Sequence, residues 1–245
     1  MRYKNPKPKK SKKGTVVIVV GVLVVLGIIG SQMGDDKKPA TTQKDNITAQ
    51  AQVDSAPPEK EPVLQPFTTE LQSGHYTAGI DIPSGTYNVT VVSGNSGNVS
   101  SSNLYNGGIN AVMGESADNI HISEFKNLKL PKGETLSVSG LTIKIESPEV
   151  DPSSVIGRAD NTAEEITLSS GNFVAGTDFK AGVYNVELVE GLGNVSSNNM
   201  YDGGLNIVIG DGSDGFSINS FQNVDFKAGI ELSVSGVTIK LTPSK

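Results

Sequence analysis

The chain has 245 residues, 28 glycines and five per cent aromatic residues, which favours one large or two small domains of turn-rich β structure over a helix bundle. Cysteine is absent, so disulfides, thiolate metal sites and cysteine nucleophiles are excluded. The formal net charge is −6, but seven of the 20 basic residues precede residue 14. The remainder is strongly acidic, which argues against a nucleic-acid partner.

The N-terminal part predicts a membrane anchor. Residues 1–13 are basic, and residues 14–34, GTVVIVVGVLVVLGIIGSQMG, carry no charge. At 1.5 Å per residue a helix over this segment would be about 30 Å long, which matches the hydrocarbon core of a bilayer. DDKK follows it, so the positive-inside rule predicts a single-pass plasma-membrane protein with a cytoplasmic N-terminus and extracellular C-terminal domains.

A cleaved signal peptide has the same order of basic, apolar and small residues, so a secreted protein is an alternative. The apolar segment is long for a signal peptide and no A-x-A-like site follows it, which favours an uncleaved signal-anchor. Residues 35–66 are rich in Thr, Gln, Pro, Lys and Glu without an apolar period, and this predicts a disordered linker. Its span would be about 30 Å.

The rest of the chain contains an internal duplication. Residues 74–94 match residues 171–191 at an offset of 97, and residues 97–147 match residues 193–243 at an offset of 96. About half of these positions are identical. We therefore predict two β-domains, repeat 1 at 67–147 and repeat 2 at 164–245, joined by a linker at 148–163.

Apolar and polar residues alternate within each repeat, which is the pattern of strands with one buried face. Tyr87, Val89 and Val91 show this period, and so do Leu136 and Val138. Turn signals such as PSG at 83–85 and PKG at 131–133 separate the apolar runs. The predicted fold is all-β, with two tandem small antiparallel β-sandwich or barrel domains.

One polar phrase occurs in both repeats, as NVSSSNLYNGGIN at 98–110 and NVSSNNMYDGGLN at 194–206. Asn106-Gly107 is predicted to be the centre of a two-residue type I′ hairpin, which needs positive φ at both residues. In that register Asn103 lies opposite Asn110. Repeat 2 is predicted to form the same hairpin around Asp202-Gly203.

Alternation of side chains in this hairpin gives it one apolar and one polar face. The polar face is a candidate binding surface for a neutral polar ligand such as a cell-wall glycan or peptide, because amides and hydroxyls both donate and accept hydrogen bonds. The alternative is that these residues only stabilise the hairpin. The candidate ligand-binding residues are Ser101, Asn103, Tyr105, Asn110, Ser197, Asn199, Tyr201 and Asn206.

Little else in the sequence points to chemistry. His75 and His121 have no histidine counterparts in repeat 2 and no recognisable triad spacing, so we predict that the protein is not an enzyme. DGSDG at 211–215 is similar to a calcium loop, but Gln222 stands where the closing glutamate belongs. These acids are expected to form turns, and neither a metal nor a cofactor is predicted.

The phrases AGIDIPSGTYNV and GGINAVMG, with AGTDFKAGVYNV and GGLNIVIG in repeat 2, resemble uncharacterised extracellular tandem β-domains of membrane-anchored proteins in Gram-positive bacteria. The resemblance covers both repeats and implies a cell-surface location without a known activity. The predicted function is a noncatalytic envelope scaffold or protein-interaction spacer. Its expected partners are the membrane, through residues 14–34, and a cell-envelope component or protein.

Overall fold

The computed structural model describes residues 63–115, 118–159 and 161–245. These residues are all-β, as predicted, and the one helix among them is a short 3-10 helix at Pro152–Ser154. They belong to one compact unit. The predicted basic tail and transmembrane helix, and all but the last residues of the predicted linker, lie outside the described residues. No described helix has the length and hydropathy of a membrane span.

The strands follow the alternating segments of the sequence. In repeat 1 they are β1 Gln65–Leu71, β2 Gly74–Thr77, β3 Gly85–Ser93, β4 Gly97–Ser101, β5 Asn110–Met113, β6 Glu124–Leu130, β7 Thr135–Ser139 and β8 Thr142–Val150. In repeat 2 they are β9 Ile166–Leu168, β10 Gly171–Val174, β11 Gly182–Ser197, β12 Asn206–Ile209, β13 Ser220–Phe226 and β14 Glu231–Pro243. The second repeat has fewer strands because β11 spans the positions of β3 and β4, and β14 those of β7 and β8.

The strands form two open sheets. One has four strands in the order β1-β8-β3-β6. The other has ten strands in the order β10-β14-β11-β13-β2-β7-β4-β5, with β12 on β11 and β9 on β14. Since neither sheet closes on itself, the barrel alternative of the fold prediction is wrong and a sandwich-like arrangement is supported.

Each repeat contributes its own hydrophobic core. The core of repeat 1 includes Tyr87 and Val89, and that of repeat 2 includes Tyr184 and Val186, all with 1 % exposure or less. The two tyrosines also make equivalent hydrogen bonds, because each hydroxyl donates to the carbonyl four residues before it, at 2.5 and 2.6 Å. Burial raises the pKa of both phenols. The alternation read from the sequence therefore identified the core faces correctly.

The register of the repeated hairpin differs from the prediction. In the β4–β5 pair, Asn110 lies opposite Ser100, three positions from the expected Asn103. The connection is an eight-residue loop, 102–109, in which the Asn106 amide donates to the Asn103 carbonyl at 2.7 Å. Only Gly107 in this loop has a positive φ, so the turn is not type I′. The loop tip is held from outside, because the Lys129 amide on β6 donates to the Gly107 carbonyl at 2.9 Å.

Candidate functional site

The two central asparagines of the repeated phrase hold the hairpin loop in place. Asn103 is buried, and its Nδ2 donates to the Lys129 carbonyl at 2.8 Å. Asn199 makes the equivalent bond to the Asp225 carbonyl at 2.8 Å and a second one to the Asp202 carbonyl at 3.1 Å. Each side chain therefore joins the hairpin loop to a strand carbonyl, on β6 or on β13, while its Oδ1 is buried without a hydrogen-bond partner among the described residues.

The serines and the second pair of asparagines also bond within the hairpin. Ser101 Oγ accepts from the Ile109 amide at 2.9 Å, and Ser197 Oγ accepts from the Leu205 amide at 3.0 Å. The exposed Asn110 accepts a long hydrogen bond of 3.3 Å from the Asn98 amide group. The exposed Asn206 accepts one of 3.4 Å from the corresponding Asn194. These contacts favour the structural interpretation of the phrase.

Tyr105 and Tyr201 stand apart from the other candidates. Their exposures are 94 % and 93 %, and they lie at the tips of the two hairpin loops. Of the eight predicted residues, only Ser101 and Tyr201 line one cavity together, and they come from different repeats. The eight residues are thus not brought together as a single polar face.

That shared cavity lies where repeat 2 contacts repeat 1. Strand β13 runs parallel to β2, with Gln222 opposite Gly74, and the Gln222 amide donates to the Ser73 carbonyl at 2.9 Å. A Cβ atom on Gly74 would lie 2.7 Å from Gln222 Cβ and 2.9 Å from its carbonyl oxygen. Glycine at position 74 is therefore what lets the two backbones approach.

His75 is the central polar side chain of this contact. Its Nε2 donates to the Gly204 carbonyl of repeat 2 at 2.7 Å, and its Nδ1 accepts from the Ser137 hydroxyl at 2.8 Å. A carbonyl can only accept, so Nε2 carries a proton; the ring is neutral, with Nδ1 accepting, in the form that burial favours. Burial lowers the pKa of His75 below its ordinary 6.5; the bond to Gly204 opposes this shift, and the charge of Arg158 adds to it. The ring also packs edge-on against Phe221, with centroids 5.0 Å apart.

Asn223 closes the contact from the β13 side. Its backbone has φ +59°, and its Nδ2 donates to the His75 carbonyl at 2.9 Å. Its Oδ1 accepts from the Ser244 hydroxyl at 2.5 Å. Because asparagine tolerates the left-handed region better than most residues, this bulge can present its side chain to β2. The Asn223, His75, Gln222 and Gly74 contacts are called the junction below.

A polar cleft of about 450 Å³ adjoins the junction. Repeat 1 lines it with hydroxyls, and repeat 2 contributes the loop at Tyr201–Gly203 and the acid Asp225. The hydroxyl residues of repeat 1 in its wall are Thr77, Ser100, Ser101, Ser102, Thr135 and Ser137. Such a wall suits a neutral ligand with several hydrogen-bonding groups.

Arg158, in the predicted linker, supplies the cation of this cleft. Its Nη2 donates to Asp81 Oδ2 at 2.7 Å, with side-chain exposures of 14 % and 12 %. Its Nε is buried and has no partner among the described residues. Asp81 also accepts from the amide of Thr77, so it caps the turn that precedes it.

Asp214 of the loop at 211–215 and its counterpart in repeat 1, Asp118, are occupied in turns. Asp118 accepts from the backbone amides of His121 and Ile120, and these bonds, with that of the His121 side chain, lower its pKa to about 2. Asp214 accepts from the Phe216 and Ser217 amides in the same way. Across the described residues, no three His, Asp or Glu side chains converge as metal ligands would.

The sequence analysis missed His75, Asn223 and Arg158 as members of a common site. For two of them the signal was asymmetry: His75 corresponds to Asn172 in repeat 2, and Arg158 has no counterpart. Asn223 corresponds to an identical residue, Asn127, so it carried no such signal. Comparison with known proteins gives no independent assignment, because no protein-family model matches the chain and no curated protein is significantly similar to it.

Proposed function

We propose that this chain is a membrane-anchored, extracellular, noncatalytic module whose tandem β-domains act as a rigid envelope scaffold or protein-interaction spacer. The anchor is the predicted helix at 14–34, and the predicted linker at 35–66 holds the repeats away from the bilayer. The proposal combines these sequence predictions with the contacts between the repeats.

The observation that carries the spacer role is the junction. A flexible pair of domains would be joined by few contacts beyond its linker. Here the strands β2 and β13 are hydrogen-bonded neighbours, and His75 and Asn223 reach across to backbone carbonyls. Both ring nitrogens of His75 are engaged in these contacts, which favours a structural role for it over acid–base chemistry.

Protease treatment of intact cells tests display and anchoring together. The full chain carries a C-terminal epitope tag, and protease is added after the cell wall is removed. We expect the tag to be lost while an antibody against residues 1–13 still detects a membrane-bound fragment. Lysed cells, in which the tail should also be degraded, are the control. A tag that stays protected on intact cells, or a full chain found in the soluble cytoplasmic fraction, would contradict the proposal.

A second function is that the cleft binds a neutral polar ligand. The observation that favours it is the wall of six hydroxyl side chains beside the buried Nε of Arg158, which has no partner in the part of the chain that the structure describes. The donor and acceptor groups match the hydroxyl and acetamido groups of a cell-wall glycan. This site differs from the hairpin face expected from the sequence and includes only Ser101 and Tyr201 of its residues.

The probe for this second function is a neutral N-acetylglucosamine tetrasaccharide, titrated into the detergent-solubilised full chain and followed by calorimetry. The variant Thr77→Val with Thr135→Val removes two cleft hydroxyls, and repeat 2 already carries valine at the first position, Val174. We expect binding to weaken about tenfold in this variant, or ~1.4 kcal/mol. Tyr105→Ala, at the distant hairpin tip, should bind as the wild type. Equal affinity of both variants, or no wild-type binding, would reject the cleft as a site for this ligand.

A further inference from the structure

The junction joins two unlike surfaces. One is the edge of the strand with Gly74 and His75 in repeat 1. It is called the acceptor edge, because its backbone carbonyls accept hydrogen bonds. The other, called the donor edge because it donates them, is the edge of the bulged strand at 221–223 in repeat 2. Since the repeats are copies, each has both edges, and the junction uses only one of each. The edges left over are the free donor edge of repeat 1, at 125–127 on β6, and the free acceptor edge of repeat 2, at 171–174 on β10.

Both free edges lie at the ends of their sheets. Strand β6 is the last strand of the four-stranded sheet, and β10 is the last strand of the ten-stranded sheet. Each therefore presents backbone groups that no described strand pairs, which is the usual starting point for association through sheet edges.

The free donor edge has the backbone shape of the docked one. Asn127 and Asn223 both have φ +59°, and the register of the neighbouring strand shifts at the same place in both repeats. Phe125 corresponds to Phe221. Phe221 is 3 % exposed at the junction, whereas Phe125 is only partly buried. The free edge thus keeps the bulge and the aromatic side chain that the junction uses, with that side chain less covered.

The free acceptor edge also has a glycine at the position where two strand backbones approach closely. Gly171 stands at the position of Gly74, where a Cβ would collide with the docked Gln222. Asn172 replaces His75 and is exposed. Asparagine retains a donor for the carbonyl of a partner loop, although it lacks the second ring nitrogen.

The charges of the free edges are complementary. Lys126 of the free donor edge replaces Gln222, and Lys129, two residues beyond that edge on β6, replaces Asp225. Glu231 beside the free acceptor edge replaces Thr135. Asp225 and Thr135 both line the junction cleft, so their counterparts Lys129 and Glu231 would face each other in the equivalent contact. If the donor edge of repeat 2 from another copy docked on this acceptor edge instead, Asp225 would lie beside Glu231. Like charges disfavour that pairing.

We propose that copies of this chain associate head to tail, with the donor edge of repeat 1 in one copy docked on the acceptor edge of repeat 2 in the next. Such a heterologous contact leaves one free edge of each kind at the ends of the row, so association continues into a linear array. A single short strand contact is weak in dilute solution, and confinement of copies to one surface raises their effective concentration.

Cross-linking of the full chain in membranes tests this directly, since there is no native cysteine to interfere. The variant Lys126→Cys with Asn172→Cys is treated with a short bismaleimide. We expect a ladder of dimers, trimers and larger species, whereas either single cysteine alone should give no species beyond a dimer. Adding Lys129→Glu should reduce the ladder about tenfold, and adding Glu231→Lys to that variant should restore it.

Three outcomes would overturn the proposal. These are monomers only, dimers only, and a ladder that the charge reversal leaves unchanged, which would place the contact elsewhere, for instance in the apolar N-terminal segment. Lys129 and Glu231 are exposed, so the reversals should not affect folding, and circular dichroism of each variant verifies this.

Discussion

At the scale of single residues, the repeated phrase is explained by hydrogen bonds between side chains and backbone. The observed contacts favour the alternative that these residues stabilise the hairpin, which the sequence had left open beside a ligand-binding role. The sequence could not show which groups Asn103 and Asn199 bind. Each side chain donates to a backbone carbonyl 26 residues away, and every residue type carries that same group. The same side chains that suggested ligand binding are for this reason largely occupied.

Replacing Asn199 with alanine tests that explanation. The change removes the hydrogen bonds to the carbonyls of Asp225 and Asp202, one of them at a partly buried site. We expect the free energy of unfolding to fall by about 1–3 kcal/mol, measured by urea denaturation. Tyr201→Ala is the control, because that ring is 93 % exposed and its loss should change stability little. A stable Asn199→Ala protein would show that these bonds contribute nothing to folding.

Gly74 should tolerate no side chain while repeat 2 is docked. Alanine there places a methyl group 2.7 Å from Gln222 Cβ, so the strands must separate or the backbone must move. We expect the free energy of unfolding, measured by urea denaturation, to fall by about 1–3 kcal/mol, as it does at other overpacked sites. Gly171→Ala is the matched control at low protein concentration, since the three atoms nearest to its methyl group all belong to the ring of Phe173, at 3.0 Å or more. Equal losses in the two variants would argue against a tight β2–β13 contact.

His75 should make the stability of the protein depend on pH. The pKa of His75 in the folded state lies below its unfolded value of 6.5. Its contribution to the free energy of unfolding is therefore complete above pH 6.5 and is lost as the pH falls toward the folded-state pKa. Protonation would also put a second cation near Arg158 and place a proton on Nδ1, so the Ser137 hydroxyl would have to turn and accept. We expect the melting temperature to fall more between pH 7.5 and pH 5 for the wild type than for His75→Asn. Parallel pH profiles would contradict this role.

At the scale of strands, sequence alternation predicts which segments are strands more securely than how they pair. It identified the faces with Tyr87 and Leu136 because burial imposes a period of two. It placed Asn110 opposite Asn103, and the observed partner is Ser100. The loop is longer than a type I′ turn because β6 holds its tip through Lys129, a contact between distant segments that local turn rules do not include.

The bulges in β6 and β13 offer a matched pair of substitutions. Asn127 and Asn223 share the same φ, but the side chain of Asn223 also bonds His75 and Ser244. Alanine at either position should lower the free energy of unfolding by about 1–2 kcal/mol, because its side chain disfavours the left-handed backbone. We expect Asn223→Ala to cost about 1 kcal/mol more in urea denaturation, because it alone loses junction hydrogen bonds. Equal costs would mean that these bonds do not stabilise the junction.

At the scale of the whole molecule, the duplication predicted two similar units but not a sheet that continues from one into the other. The continuation depends on differences between the copies, such as His75 against Asn172, and on Arg158 of the linker, which has no counterpart in repeat 2. In a single sequence these differences are indistinguishable from neutral drift. The cleft could not be predicted for the same reason, since its walls come from residues on both sides of the junction.

The central claim is that the two repeats form one rigid body across the junction. Pulsed dipolar spectroscopy of the full chain tests it most directly, with spin labels on Glu70→Cys and Ser235→Cys, two exposed strand positions in different repeats. Dilution with unlabelled chain removes distances between molecules. A rigid junction predicts one narrow distance distribution that broadens when Gly74→Ala and Asn223→Ala are added. A broad distribution in the wild-type background would contradict the account.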